Sequence, residues 1–308
     1  MTRRHTHLAL LLLAGMITAP CSDRQGEPIC VDLSRREAIP AQAQGNNHPA
    51  LRFAVSAMTS PAQTFADYQD FIHYVGERMG WPVVFKQRKT YQEINDMLSS
   101  GDLDAAFVCS GAYVRLKQHI DAPLIAVPVI DGKPSYRSYI LVRRDSRIET
   151  FGDLQGRRFA FTDPLSNTGK LYPIYRLELM GWTPERFFGH LIYTYSHDHS
   201  IQAVAQGTVD GAAVDGLIYD FLSRTDPDRV AGLKVIERSA LFGAPPIVAS
   251  PDLQPELRAS LQSHLLRMSV DSAGAAILRR LRIDRFVAGD ERDYDGIRKM
   301  FSAVERLP

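Results

Sequence analysis

From Leu51 onward, short apolar runs of strand length alternate with amphipathic stretches of helical period, and this alternation leaves few folds open. LRFAVSA (51–57) reads as a buried strand. Thr64 to Gly80 carries Phe65, Tyr68, Ile72, Val75 and Met79 at spacings of three and four, which predicts a helix. WPVVFKQ (81–87), LDAAFVC (103–109) and LIAVPVI (124–130) predict further strands, separated by helices over 91–100 and from about Ala112. SYRSYILV (135–142) predicts a strand that crosses into a second lobe. There the plan repeats, with strands over 158–162, 191–196 and 209–215 and helices over 168–181, 199–206 and 216–222. Residues 235–250 cross back, and the tail is helical over 255–269, 272–282 and 291–306. The expected fold is α/β: two lobes, each a mostly parallel sheet flanked by helices, with a ligand cleft between them. The boundaries expected are 51–137 with 247–308 for the first lobe and 138–246 for the second.

The start of the chain has a different character. Arg3 and Arg4 precede the apolar run Leu8–Ile17, too short for a bilayer span and of the length of a signal-peptide core. Residues 1–21 are read as a signal peptide. Cys21 stands where a lipoprotein carries its acylated cysteine, although Pro20 replaces the small residue expected before it, so lipid anchoring and ordinary cleavage both stay open. Residues 22–50 are polar, without sustained period, and read as a flexible tether. Export to the periplasm, free or lipid-anchored to the membrane facing it, is the expected location.

Charge and cysteine content exclude several classes. Lys and Arg number 36 against 35 Asp and Glu, so no net field grips nucleic acid. Three cysteines without a CxxC pair indicate neither a disulfide framework nor a zinc site.

The chemistry gathers between Arg158 and Asp215. The strand RFAFT runs into Asp163-Pro164 and then into Ser166-Asn167-Thr168-Gly169 at the start of a helix. Hydroxyls and free backbone N–H groups at a helix N-terminus form an anion site. Ser196-His197-Asp198 opens a second such unit. Each feature has a plainer reading. Ser166 to Gly169 can be a cap alone, Asp215 can be the N-cap of the next helix, Tyr113 and Tyr139 can be packing aromatics, and Cys109 can be an inert buried thiol. The His197-Asp198-His199 run is a poor metal site, because adjacent turn residues seldom point at one ion. Enzyme readings fail as well: consecutive Ser196-His197-Asp198 cannot form a catalytic relay, and Gly169-Lys170 lacks the remainder of a P-loop.

Taken in order, Asp104, Phe107 and Tyr113, SYRSYILVRRDS, FAFTDPLSNTG, Phe187-Phe188, SHD and AVAQGTVDGAAVD resemble the phosphate/phosphite/phosphonate-binding periplasmic proteins (PhnD-like, type II solute-binding proteins). The resemblance covers about Leu51 to Leu266. It implies a non-enzymatic receptor without a cofactor that captures a small oxyanion between hinged lobes and presents it to an ABC permease. Carried over, it implies that Ser166, Asn167, Thr168 and Gly169 form the cradle and that His197 donates to an anion oxygen. Tyr113 then reaches in from the first lobe, and Asp215 accepts from a protonated oxygen or an amino substituent; Tyr139 is a further candidate. Cys109 and Ser110 stand where the family usually has Gly-Pro, which leaves the ligand open. A sensor subunit of the same fold, binding arsenite through Cys109 and signalling to a membrane histidine kinase, is the alternative.

Overall fold

The computed structural model describes residues 50–305. The signal peptide, Cys21 and nearly all of the tether expected from the sequence lie outside the described residues. In chain order the strands are β1 (Leu51–Val55), β2 (Val83–Lys86), β3 (Ala105–Phe107), β4 (Leu124–Val129), β5 (Ser135–Tyr136), β6 (Ser138–Arg143), β7 (Arg158–Phe161), β8 (His190–Tyr193), β9 (Gly211–Asp215), β10 (Leu233–Arg238), β11 (Phe242–Gly243), β12 (Ile247–Ala249) and β13 (Arg285–Val287). The helices are α1 (Pro61–Met79), α2 (Tyr91–Ser99), α3 (Ser110–Leu116), α4 (Tyr172–Leu179), α5 (Pro184–Phe187), α6 (His197–Ala205), α7 (Gly216–Thr225), α8 (Pro255–Arg267), α9 (Ser272–Leu281) and α10 (Asp295–Val304).

Local chemistry sets these boundaries. The Ser60 side chain caps α1, and Gly80, at φ +66, ends it. Thr90 and Glu93 form a reciprocal capping box at the start of α2. Asp271 accepts the first free amides of α9.

Two sheets result, one in the order β13-β4-β12-β3-β1-β2 and one in the order β10-β6-β9-β7-β8. The expectation of mostly parallel sheets is corrected here. Parallel pairing is confined to β2–β1–β3 and β9–β7–β8, whereas β12, β4, β13, β6 and β10 pair antiparallel. The reason is topological. β6 and β12 follow the two crossings between sheets and enter their new sheets against the direction of the βαβ strands. The crossings also pair with each other: β5 and β11 form a two-stranded antiparallel ribbon, Tyr136 opposite Phe242. β10 and β13, each an antiparallel edge strand, were not separated from their surroundings in the sequence.

Phe53, Phe71, Phe107 and Phe286 fill the core on one side of the first sheet. Phe159, Phe161, Phe187 and Phe188 pack together beside the second, with Phe159 and Phe188 stacked at 4.4 Å between ring centres. Each such ring, fully buried, contributes roughly 1.5–3 kcal/mol. These cores hold the carboxyl ends of β1, β3, β7 and β9 in place, and the loops leaving those ends face one another.

Candidate functional site

Four helix starts meet where the sheets face each other: α3 after Cys109, a π-turn over Asn167–Leu171 that leads into α4, α6 at His197, and α7 after Asp215. Their contact is direct. The His197 amide donates to the Met58 carbonyl at 3.0 Å, and the Tyr91 amide donates to Asp163 Oδ2 at 3.1 Å, both from one sheet's loops to the other's. A Cβ on Gly111 would lie 2.4 Å from the Leu165 carbonyl oxygen, so only glycine lets these loops approach.

The four-residue cradle divides by role. Ser166 is the N-cap, its Oγ accepting the Gly169 amide at 2.9 Å. Gly169 lies against Thr162, where an added Cβ would fall 1.5 Å from Oγ1. These two residues are used by the fold. Asn167 Nδ2 donates to the Tyr136 hydroxyl at 3.1 Å, while Asn167 Oδ1 and Thr168 Oγ1 are buried with no partner in the chain. Ser56 Oγ and the Tyr91 hydroxyl share that condition. A buried polar atom left unpaired costs about 1–3 kcal/mol, so such groups call for a partner of their own.

Burial dominates the electrostatics. It lowers the His197 pKa to about 3, against the pull of Asp198, so the ring is neutral. His197 Nδ1 accepts the Asp215 amide at 3.0 Å, which leaves the proton on Nε2. Burial raises Asp215 to about 7 despite the Leu217 and Ile218 amides that face it. Burial also pushes the Cys109 thiol up to about 11, against the Asn167, Gly111 and Ala112 amides. The Tyr91 and Tyr136 hydroxyls are raised well above their ordinary value by burial, and then by Cys109 and Asp215, so these four side chains sense one another. No lysine or arginine is among the leading influences on any of them. The site is built of neutral donors, helix N-termini and the buried carboxyl groups of Asp163, Asp198 and Asp215, of which Asp215 is raised to about 7.

Most of the residues singled out in the sequence converge: Asn167, Thr168, His197, Asp215 and Cys109 lie here, with Ser166 and Gly169 supporting them. Ser110 sits at the edge, its Oγ donating to the Gly243 carbonyl of the β5–β11 ribbon at 2.8 Å. Tyr113 and Tyr139 are not brought in. Tyr113 packs edge-on to Tyr294 at 4.8 Å, and burial and Glu291 raise its pKa. The Tyr139 hydroxyl donates to Asp220 at 3.1 Å on the outer side of β6, because strand alternation sends Ser138 and Tyr139 to opposite faces. The tyrosines that do converge, Tyr91 and Tyr136, were missed, as was Ser56. All three follow or end strands of the cleft, a positional signal that aromatic residue type alone does not carry. Among the described residues no group of three or more His, Cys, Asp or Glu side chains is placed to hold a metal ion.

Buried hydroxyls and backbone amides therefore gather at four converging helix starts. A family model described as "ABC transporter, phosphonate, periplasmic substrate-binding protein" matches residues 53–294. The chain belongs to this family. It is 26% identical over 260 residues to the phosphate-import protein PhnD of Mycolicibacterium smegmatis, covering 76% of this chain and 79% of that one. It is 24% identical over 266 residues to the phosphonates-binding periplasmic protein of Escherichia coli, covering 85% and 78%. In structure it is similar to a binding-protein component of an ABC phosphonate transporter from Pseudomonas aeruginosa, with a TM-score of 0.79 and 23% identity over 84% of this chain and 88% of the other. The fold is that of type II periplasmic binding proteins. Among the described residues no helix is long and apolar enough to cross a membrane.

Proposed function

We propose that this chain captures a phosphonate-type oxyanion (phosphate, phosphite or a phosphonate) between its two sheets in the periplasm and presents it to an ABC permease. The observation that carries this reading is the set of buried, unpartnered Ser56, Tyr91, Asn167 and Thr168 polar atoms at the meeting of four helix starts. In a dry site each helix terminus contributes roughly 0.3–1 kcal/mol to an anion, up to about 2 when partly buried. A phosphate ion gains little from apolar contact; at about −1.5 kcal/mol per heavy atom it reaches roughly −7.5 kcal/mol, a low micromolar affinity. Short hydrogen bonds from both lobes must supply that energy, which couples binding to closure. In this reading the lobes are 51–137 with 247–308 and 138–246, and the β5–β11 ribbon is the hinge.

Thermal unfolding of the purified protein with phosphate, phosphite, methylphosphonate and arsenite tests the proposal. A rise in melting temperature with the phosphorus oxyanions is expected. A response to arsenite alone, lost in Cys109→Ser, would replace the transport reading with the sensor reading. Against that alternative, a thiol pushed up to about 11 offers little thiolate to arsenite.

A further inference from the structure

Asp163 is a buried carboxyl group between β7 and the Ser166–Gly169 turn, and its two oxygens serve different partners. Oδ1 accepts the Leu165 amide at 2.8 Å, and the Asp163 carbonyl accepts the Ser166 amide at 2.9 Å. These bonds fold the local turn, and the turn needs no more. Oδ2 accepts the Tyr91 amide at 3.1 Å, from a helix that belongs to the other sheet.

The Tyr91 amide is the first of α2 and has no partner within its own helix. The rest of α2 is anchored on its own side. Thr90 and Glu93 close the capping box, Asn95 Nδ2 donates to the Ala112 carbonyl at 2.9 Å, and Ile94 and Leu98 are buried. Asp163 therefore meets a fixed helix start, where the helix dipole favours a negative charge. Leu165 extends the contact by packing against Met58, Tyr91, Cys109 and Ala112. Burial raises the Asp163 pKa, against the pull of the Leu165 and Tyr91 amides and of Lys170. A carboxylate in such a place is costly to strand, so the contact across the two sheets is held from both ends.

We propose that Asp163 is a positioning residue of the anion site: by taking the Tyr91 amide it sets the register between the start of α2 and the turn after β7. The Tyr91 hydroxyl and the Asn167 and Thr168 side chains, all with buried unpartnered oxygens, then face one bound anion. The assignment rests on the oxyanion reading above.

Calorimetric titration of methylphosphonate into wild type, Asp163→Asn, Tyr91→Phe and the double variant tests it, with thermal unfolding of each. Asp163→Asn keeps an acceptor for the Leu165 amide but turns an N–H toward the Tyr91 amide. Its affinity should fall roughly 10- to 100-fold, as for one hydrogen bond to a charged group. Tyr91→Phe removes only the hydroxyl and should weaken binding as well. The double variant should bind no more weakly than Asp163→Asn, because a tyrosine out of register has nothing left to lose. Asp163→Ser, which retains a local acceptor and is too short for Tyr91, should behave like Asp163→Asn and replaces it if that variant does not fold. Affinity within about twofold of wild type in the Asp163 variants, or losses that add in the double variant, would overturn the assignment while leaving the oxyanion site standing. Failure of both Asp163 variants to fold would make the residue structural alone and overturn it too. If wild type binds neither methylphosphonate nor phosphate, the oxyanion reading fails and this inference fails with it.

Discussion

His197 Nδ1 accepts the backbone amide of Asp215 at 3.0 Å, so the start of one helix fixes the tautomer of a side chain at the start of another. The ring then presents Nε2–H as a donor, and burial keeps it uncharged. His197→Asn retains an acceptor for the Asp215 amide but withdraws the far donor. Methylphosphonate affinity should fall roughly 10- to 100-fold, as expected for one hydrogen bond to a charged group, with the melting temperature nearly unchanged; calorimetry and thermal unfolding together check this.

Thr168→Val should move stability and binding in opposite directions. Its Oγ1 is buried and unpartnered, so the isosteric apolar side chain should stabilise the free protein by about 1 kcal/mol. The same change should weaken methylphosphonate binding tenfold or more. Ser166→Ala should do the reverse: loss of the cap to the Gly169 amide costs about 1 kcal/mol of stability, with a smaller effect on affinity. Urea unfolding and titration of both variants separate the two roles.

Two pH windows with opposite signs follow from the buried pair. The Asp215 pKa is raised from 3.8 to about 7. Its contribution to stability is therefore complete below pH 4 and is lost as pH rises through 7. The His197 pKa is lowered from 6.5 to about 3, so its contribution is present above pH 6.5 and is lost as pH falls toward 3. Anion binding should weaken above pH 7 as Asp215 ionises beside the ligand, and Asp215→Asn should flatten that limb of the affinity profile.

Gly169→Ala should be among the most damaging single-methyl changes in this protein. The added Cβ meets Thr162 Oγ1 at 1.5 Å and Thr162 Cβ at 2.6 Å, an overpacking that costs about 1–3 kcal/mol or more. Urea unfolding should show the loss without any ligand present.

Cys109 is free and buried, and its thiol is held up to about 11. A thiol-exchange reagent should label it slowly in the native protein and rapidly in urea. Labelling as fast as that of an exposed thiol would reverse this reading of its environment.

Hydrophobic period and capping chemistry are local, and the sequence carried them well. The alternation from Leu51 and helix starts within two residues of Asn167, His197 and Gly216 were legible because each depends on neighbours a few residues away. Strand direction was not, since β6 and β12 take their orientation from crossings that join distant segments. The assignment of tyrosines was not either. Tyr113 and Tyr139 belong to the segments the sequence marked, but helix and strand geometry turn them toward Tyr294 and Asp220. Tyr91 and Tyr136 reach this site only because the sheets close on each other. Sequence by itself determined where hydroxyls and helix-start amides occur; the tertiary structure decided which of them are buried together and lose their partners, because desolvation and mutual approach are properties of the closed fold.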